Sequence, residues 1–393
     1  MKFAWKFGLA ALLAAGLIGN ISPAWSQEEA AAPAAEEAPA SEGDEFNPES
    51  VSAGIQQMLK IARTGGEEKL PPPQRFAKSM EMLDQLWEMD RTLPETKRLL
   101  SLKIQLASIL GQLGDEQAAK DLDVFLTKLT QDENPEIAEA AEKAILNNKL
   151  SNLAMLSSEE RQSVINEVKG QILEAEPSVE TVGLAINLCG SLEKAVPTIP
   201  PAEAAQVITQ VAEHFQGTGE ERLQKTSDSL LGLARRVNLF GNEIELAGTL
   251  LNGDDLNFAS AYKGKAVVVD FWATWCGPCI AEFPNMKKQY AKYHEHGFEI
   301  VGISLDDTKE PVEEFIEKQE IPWTIVWTDK GEGVSGWNDA NAKRYGVNGI
   351  PLMIFIGKDG KVKSLRARGE NLNELLAEEF PDVKSEEEET EEK

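Results

Sequence analysis

The spacing of apolar residues changes once along this chain of 393 residues, and that change limits what the chain can fold into. Between about 48 and 236, apolar side chains recur at three- and four-residue intervals, the period of a helix face. Val51, Ile55, Met58 and Leu59 make one such face; Phe76, Met80, Leu83 and Trp87 make another. From about 237, short continuous runs take over. "AVVVDFWA" (266–273) and "FEIVGISL" (298–305) are rich in β-branched residues, as strands covered on both faces are. The chain is therefore expected to be multidomain, with an all-α helical domain at 47–236 and an α/β domain at 237–382.

Helix starts can be placed from capping residues and breakers. The first helix is expected to open with Asn47 as N-cap and Pro48 in its first turn. Later ones begin near Pro94, Asp115, Asn134–Pro135, Ser157, Ser178, Pro201 and Gly219, separated by "PPP", "GD" and "PTIPP". About nine helices start roughly every 20 residues, so pairs recur near 40, within the range of two-helix repeats. No residue signature repeats with them. A solenoid-like stack and an irregular bundle both fit. Cys189, in the apolar helical run "INLCGSL", reads as a small buried hydrophobe.

In the second region "IELAGTLLNGDDLNF" reads as a short hairpin turning at "NGDD". A helix is expected from Ile280 to His294. "KEPVEEFIEKQE" reads as an amphipathic helix, "WTIVW" as a short strand and "NDANAKRYGV" as another helix. "PLMIFIG" and "KVKSLRAR" flank the turn "KDG" as a hairpin, and "LNELLAEEF" closes as a helix.

The ends differ from both regions. Residues 1–26 carry Lys2 and Lys6, a short apolar run and a small-x-small site ending at Ser26, the pattern of a secretory signal peptide. Trp25 makes the cleavage site imperfect, which leaves an uncleaved signal anchor open. The mature chain is expected to be exported, in the periplasm or another extracytoplasmic space. Residues 27–46 are an Ala/Pro/Glu linker and 383–393 an acidic tail, both expected to be disordered. With 66 acidic against 39 basic residues the formal net charge is −27, which argues against nucleic acid as a partner.

An exported chain can use cysteines as staples, yet this one holds three, two of them in "FWATWCGPC" (271–279). Cys276 and Cys279 follow a buried strand and open a helix. The unpaired N–H groups there stabilise negative charge, so a thiolate at Cys276 is favoured and becomes nucleophilic near neutral pH. Pro278 sits in the first turn, where its missing N–H costs little. Cys279, one turn further in, can attack a mixed disulfide formed at Cys276. A structural zinc site needs four ligands, and no second Cys or His pair supplies them. A purely structural disulfide closing so small a loop would constrain little. Neither a metal nor a cofactor is expected.

"VVVDFWATWCGPCIAEFP" resembles the active-site segment of the thioredoxin superfamily, and most of all its exported TlpA/ResA-like thiol-disulfide oxidoreductases. The resemblance runs from about Gly241 to Phe380 and does not extend into the helical region. It implies a thioredoxin fold for the second domain. "YGVNGIPLMIFIGKDGKV" resembles the family's cis-proline loop and following hairpin, which implies a cis Pro351 packed beside the cysteines. The backbone of Ile350 would then be free to pair with an extended substrate segment. By the same resemblance Trp275, Gly277, Pro278, Ile350 and Pro351 line the substrate surface, and Trp272 and Trp275 flank the site. Asp270 matches the buried acid of ordinary thioredoxins, and Glu282 the acid of the exported branch. Either could take the proton of Cys279, and carrying both leaves the acceptor undecided. Pro284 is expected to kink the active-site helix.

These features point to a thiol-disulfide oxidoreductase. Its partners would be a disulfide-containing protein substrate and an unidentified redox partner, with docking through the helical domain. Two other readings are weighed against it. A thiol peroxidase would need a Pro-x-x-x-Thr-x-x-Cys loop, but Thr274 lies two before Cys276 rather than three. A helical-repeat interaction protein with an accessory thioredoxin domain would not need the intact cysteine pair, both acids and Pro351.

Overall fold

The computed structural model describes residues 46–328 and 336–383. The signal segment, nearly all of the linker and the acidic tail after Val383 lie outside them. The chain divides into two compact units between Lys149 and Leu150.

The first unit is helical. It holds α1 (Val51–Thr64), α2 (Pro72–Trp87), α3 (Leu93–Gln112) and α4 (Glu116–Leu129). Near its end runs α5 (Pro135–Ser151). Ser50, not Asn47, caps α1: its side chain accepts from the Ala53 N–H at 3.2 Å. The cap lies later because Ser50 is the extended residue whose hydroxyl reaches the third amide inward. Gly65, at φ +77°, ends the helix in the left-handed region that glycine enters without steric cost. Thr92 and Glu95 form a reciprocal capping box on α3. α1 packs on α2, α2 on α3 and α3 on α4, the neighbour-to-neighbour order of a solenoid-like stack. Ile55, Met58, Phe76, Leu83, Leu86 and Leu99 fill the core of the first three helices. Each such side chain contributes about 1.5–3 kcal/mol by leaving water.

The second unit joins four helices to a sheet. α6 (Ser158–Glu174), α7 (Val179–Ala195), α8 (Pro201–His214) and α9 (Glu221–Val237) pack as a bundle, with α7 and α8 both against α9. Cys189 is fully buried within α7, as a small hydrophobe would be. After α9 the segment 240–243 bridges to Val362 and Lys361 and covers a sheet edge.

The expected boundary at 236/237 therefore differs from the division at 149/150. The period changes where strands begin, but the core does not end there. Arg236 and Gly232 of α9 pack directly on residues 345–346 of the α/β part.

The sheet contains β1 (Ala266–Trp272), β2 (Phe298–Ser304), β3 (Thr324–Val326), β4 (Leu352–Ile356) and β5 (Val362–Ser364), in the order β3-β2-β1-β4-β5. β1 runs parallel to β2, and β2 to β3. β4 is antiparallel to both β1 and β5. The connecting helices are α10 (Phe258–Ala261), α11 (Gly277–Ile280), α12 (Phe283–Tyr293), α13 (Glu310–Gln319), α14 (Ala340–Arg344) and α15 (Glu370–Glu379). The region expected to form the "NGDD" hairpin is reduced to one bridge, Thr249 to Asp255, closed by the Leu250 N–H on the Asp254 carbonyl at 2.8 Å. Leu256 N–H also donates to the Gly248 carbonyl at 2.9 Å, and Leu250 bridges to Val326 of β3.

All seven residues of β1 are buried. Alternation sends Val268 and Trp272 to a core shared with α12, α13 and α15, and Val267, Val269 and Phe271 to a second core with Ala342 and Tyr345. Asp270 shares the parity of Val268 and Trp272. Among the described residues no helix is long and apolar enough to cross a membrane.

The packing of α9 gives a stability prediction. A fragment 150–383 should melt cooperatively, whereas 237–383, which lacks α9, should melt several degrees lower. Circular dichroism melts of both would decide the point; equal midpoints would show that α9 adds nothing to the α/β core.

Candidate active site

Cys276 is the N-cap of α11, and its Sγ accepts from the Cys279 N–H at 3.2 Å. The two cysteines form a disulfide, with Cα atoms 5.3 Å apart. Both are buried, while Gly277, Pro278 and Trp275 between and before them are exposed. The active-site helix is broken rather than smoothly bent. α11 stops at Ile280 and α12 starts at Phe283, because Pro284 has no N–H with which to continue the ladder.

The loop that carries the cysteines is fixed from β2. Asp306, just beyond that strand, is buried. It accepts from the Thr274 N–H at 3.0 Å, from Thr274 Oγ1 at 2.5 Å and from Ser304 Oγ at 2.8 Å. Leu305 N–H donates to the Trp272 carbonyl at 2.8 Å. Trp272 is fully buried, with the Phe283 ring edge-on at 5.1 Å and Phe315 at 5.2 Å. Trp275 is 56% exposed and lies 6.1 Å from Trp337, itself 44% exposed. Asp306 and Trp337 escaped the sequence reading. The acid directly after the second buried strand, at the carboxyl edge of a parallel pair, was the available signal for the first. Nothing local marks the second.

The two candidate acids sit in unlike surroundings. Asp270 is buried, and its Oδ1 has no hydrogen-bond partner. Burial first, then the negative charge of Glu282, push its carboxyl from 3.8 up to about 8, with Arg368 pulling the other way. Glu282 is anchored at both oxygens. Oε1 accepts from Arg368 at 2.9 and 3.3 Å, and Oε2 from the Gly369 N–H at 3.1 Å. The 367–369 segment is itself tied down: Ala367 N–H donates to the Met353 carbonyl at 2.9 Å and Asn285 Nδ2 to the Gly369 carbonyl at 3.2 Å. Arg368 was missed in the sequence. The cationic run "RAR" just before a helix, in so acidic a chain, could have marked it.

The Ile350–Pro351 bond is cis. Ile350 packs against both cores and lies outside β4, whose pairing with β1 ends at Leu352. A second cis bond, Val196–Pro197, lies far from the cysteines in sequence and was not anticipated. The structure thus brings Cys276, Cys279, Asp270 and Glu282 to one face of the sheet.

A five-stranded mixed sheet with a vicinal cysteine pair capping the helix after its central strand, and a cis-proline before β4, defines a thioredoxin-fold domain. Comparison with known proteins narrows the class. Residues 240–384 match the Redoxin family model. Thiol-disulfide oxidoreductase ResA of Bacillus thuringiensis subsp. konkukian is 37% identical over 117 residues, 30% of this chain and 62% of that protein. ResA of Oceanobacillus iheyensis is 36% identical over 106 residues, 27% of this chain and 51% of that one. The chain thus spans about three fifths or less of the length of these relatives. Among solved structures, the thioredoxin domain of a thiol-disulfide oxidoreductase from Bacteroides vulgatus is 27% identical. It covers 37% of this chain and 98% of that domain, with a TM-score of 0.32. The C-terminal domain is thus similar to TlpA/ResA-like thiol-disulfide oxidoreductases of the thioredoxin superfamily.

The environment of Asp270 has a consequence for stability. Its carboxyl is raised from 3.8 to about 8, so between those pH values the folded protein holds a proton that the unfolded chain has released. Stability from this group is full below about pH 4 and falls as pH rises towards 8. Relative to Asp270→Asn, the oxidised wild type should lose up to about 5 kcal/mol over that range. Urea denaturation of both at pH 5 and 8.5 measures it; a pH-independent difference would contradict the shift.

Proposed function

We propose that this chain is an exported thiol-disulfide oxidoreductase that reduces protein disulfides through a Cys276–Cys279 dithiol/disulfide cycle. The observation that carries the reading is a disulfide capping a helix on the same sheet face as a buried acid whose Oδ1 lacks a partner. The ResA relatives are named for this chemistry.

In the reduced form the Cys276 thiolate attacks a substrate disulfide. One S–S bond breaks, a mixed disulfide forms, and the first substrate thiolate leaves. Cys279 must then lose its proton, attack Cys276 Sγ and expel the second substrate thiolate, leaving the Cys276–Cys279 disulfide. A redox partner of unidentified nature returns the two electrons. Exposed Trp275, Gly277 and Pro278, with Ile350 and Pro351 of the cis-proline loop, form the surface on which the substrate segment lies.

The two acids take separate parts in this cycle. With both oxygens engaged by Arg368 and Gly369, Glu282 is held in place as a positioning group. Asp270, with a free oxygen and a carboxyl poised near 8, takes the Cys279 proton. Export rests on residues 1–26, which lie outside the described residues, and docking through the helical domain rests on its length of helical sequence.

Reduction of insulin by the dithiothreitol-reduced chain tests the activity; no turnover would leave a scaffold role for the domain. Cys276→Ala should abolish exchange, and Cys279→Ala should stall at a mixed disulfide.

Single-turnover rates against pH test the acids. Asp270→Asn should slow resolution of the mixed disulfide by about 10²–10⁴-fold. Glu282 raises the Asp270 carboxyl, so Glu282→Gln should move the rise in rate to lower pH. Arg368 lowers it, so Arg368→Met should move the rise to higher pH. Unchanged profiles in both variants would remove Asp270 from the role.

A further inference from the structure

The redox domain has a support that lies outside its own sequence, in α9. Arg236 is 5% exposed and its guanidinium reaches three acceptors. Nη1 donates to the Tyr345 carbonyl and, at 2.9 Å, to the Gly346 carbonyl; Nε donates to Glu193 Oε1 at 2.8 Å. The neighbouring Arg235 donates to the Arg344 carbonyl at 2.6 Å. One turn earlier the backbones themselves touch. A Cβ on Gly232 would lie 2.3 Å from Gly346 N, and one on Gly346 would lie 2.4 Å from the Ser229 carbonyl. Gly346 also holds φ +58°, so glycine serves there for both reasons.

Only a few residues separate this weld from the cis-proline. Val347 is buried, and its N–H donates to the Ala342 carbonyl at 2.8 Å. Leu352 is paired with Phe271 in the sheet. Between these two anchors run residues 348–351, of which Asn348 and Gly349 are exposed. A segment of four residues fixed at both ends has no slack. Any displacement of the anchor at 345–347 must be taken up in the stretch that contains Ile350 and Pro351.

We propose that Arg236 is a positioning residue for the cis-proline loop, so that the last turn of α9 sets how the protein presents Ile350 and Pro351 to a polypeptide substrate. The inference rests on the thiol-disulfide reading above. Arginine suits the task because its planar fork of donors can serve a carboxylate and two carbonyls at once. A lysine keeps the charge beside Glu193 but offers a single point of contact. The cysteines and Asp270 are carried by β1 and α11, which Arg236 does not touch, so the consequence falls on substrate fit and not on thiol chemistry.

The test uses the full chain and two variants that act on different atoms, Arg236→Lys and Gly232→Ala. Insulin reduction gives kcat and KM, and reaction of the reduced protein with 5,5′-dithiobis(2-nitrobenzoic acid) reports thiol chemistry without a polypeptide to position. Arg236→Lys should raise KM for insulin about 5- to 10-fold, the effect of losing one or two hydrogen bonds, with kcat and the small-disulfide rate nearly unchanged. Gly232→Ala should shift KM in the same direction. An unchanged KM in a folded Arg236→Lys protein overturns the proposal. So does a parallel loss of both activities that tracks a lowered melting temperature, the mark of a merely structural role. If the wild type reacts with the small disulfide but not with insulin, the proposed function and this inference fall together; if wild-type insulin reduction stands and only the KM split is missing, the inference alone falls.

Discussion

The complete burial of β1 is the constraint on which the α/β part depends. A strand covered on both faces must present apolar side chains in both directions, and alternation then decides which residues share a core. The parity that sends Val268 and Trp272 towards α12 and α15 also sends Asp270 there, to the face that holds both cysteines. The strand ends at Trp272, and the chain that leaves it is caught at once by Asp306 from β2. The Cys276 helix start is thus fixed by one strand and its parallel neighbour before any substrate arrives.

Burying a carboxyl in such a face is costly unless it stays protonated. Asp270 does so because nothing donates to its Oδ1 and Glu282 adds a like charge nearby. Glu282 sits in different surroundings, where Arg368 and the Gly369 amide meet both its oxygens. Two acids twelve residues apart thereby acquire unlike surroundings, one buried with an unpartnered oxygen and the other met by donors at both oxygens.

The helices of the second unit are not an appendage to the redox domain. α9 meets the α/β part through backbone contact at Gly232 and Gly346 and through the three-way hydrogen bonding of Arg236. Such close approach is available only to glycine, and such a fork only to arginine. Secondary-structure type and compact unit therefore separate at different places in this chain.

The sequence by itself determined the element types, because period and capping are local properties. The runs read as strands are strands (Ala266–Trp272 and Phe298–Ser304), Ser157 and Ser178 cap helices, and the cysteine pair opens a helix after the central strand. The resemblance of "VVVDFWATWCGPCIAEFP" and "YGVNGIPLMIFIGKDGKV" to the thioredoxin superfamily also marked Asp270, Glu282 and Pro351. Three things needed the tertiary structure. The edge of the second unit moved to residue 150 because packing of α9 on residues 345–346 joins segments more than a hundred residues apart. Arg368, Asp306 and Trp337 reach the site from separate loops, so their meeting with the cysteines is set by the fold, whatever local signal each carries. The unlike surroundings of Asp270 and Glu282 were decided by which acid found donors, and solvation and partners exist only once the chain is folded.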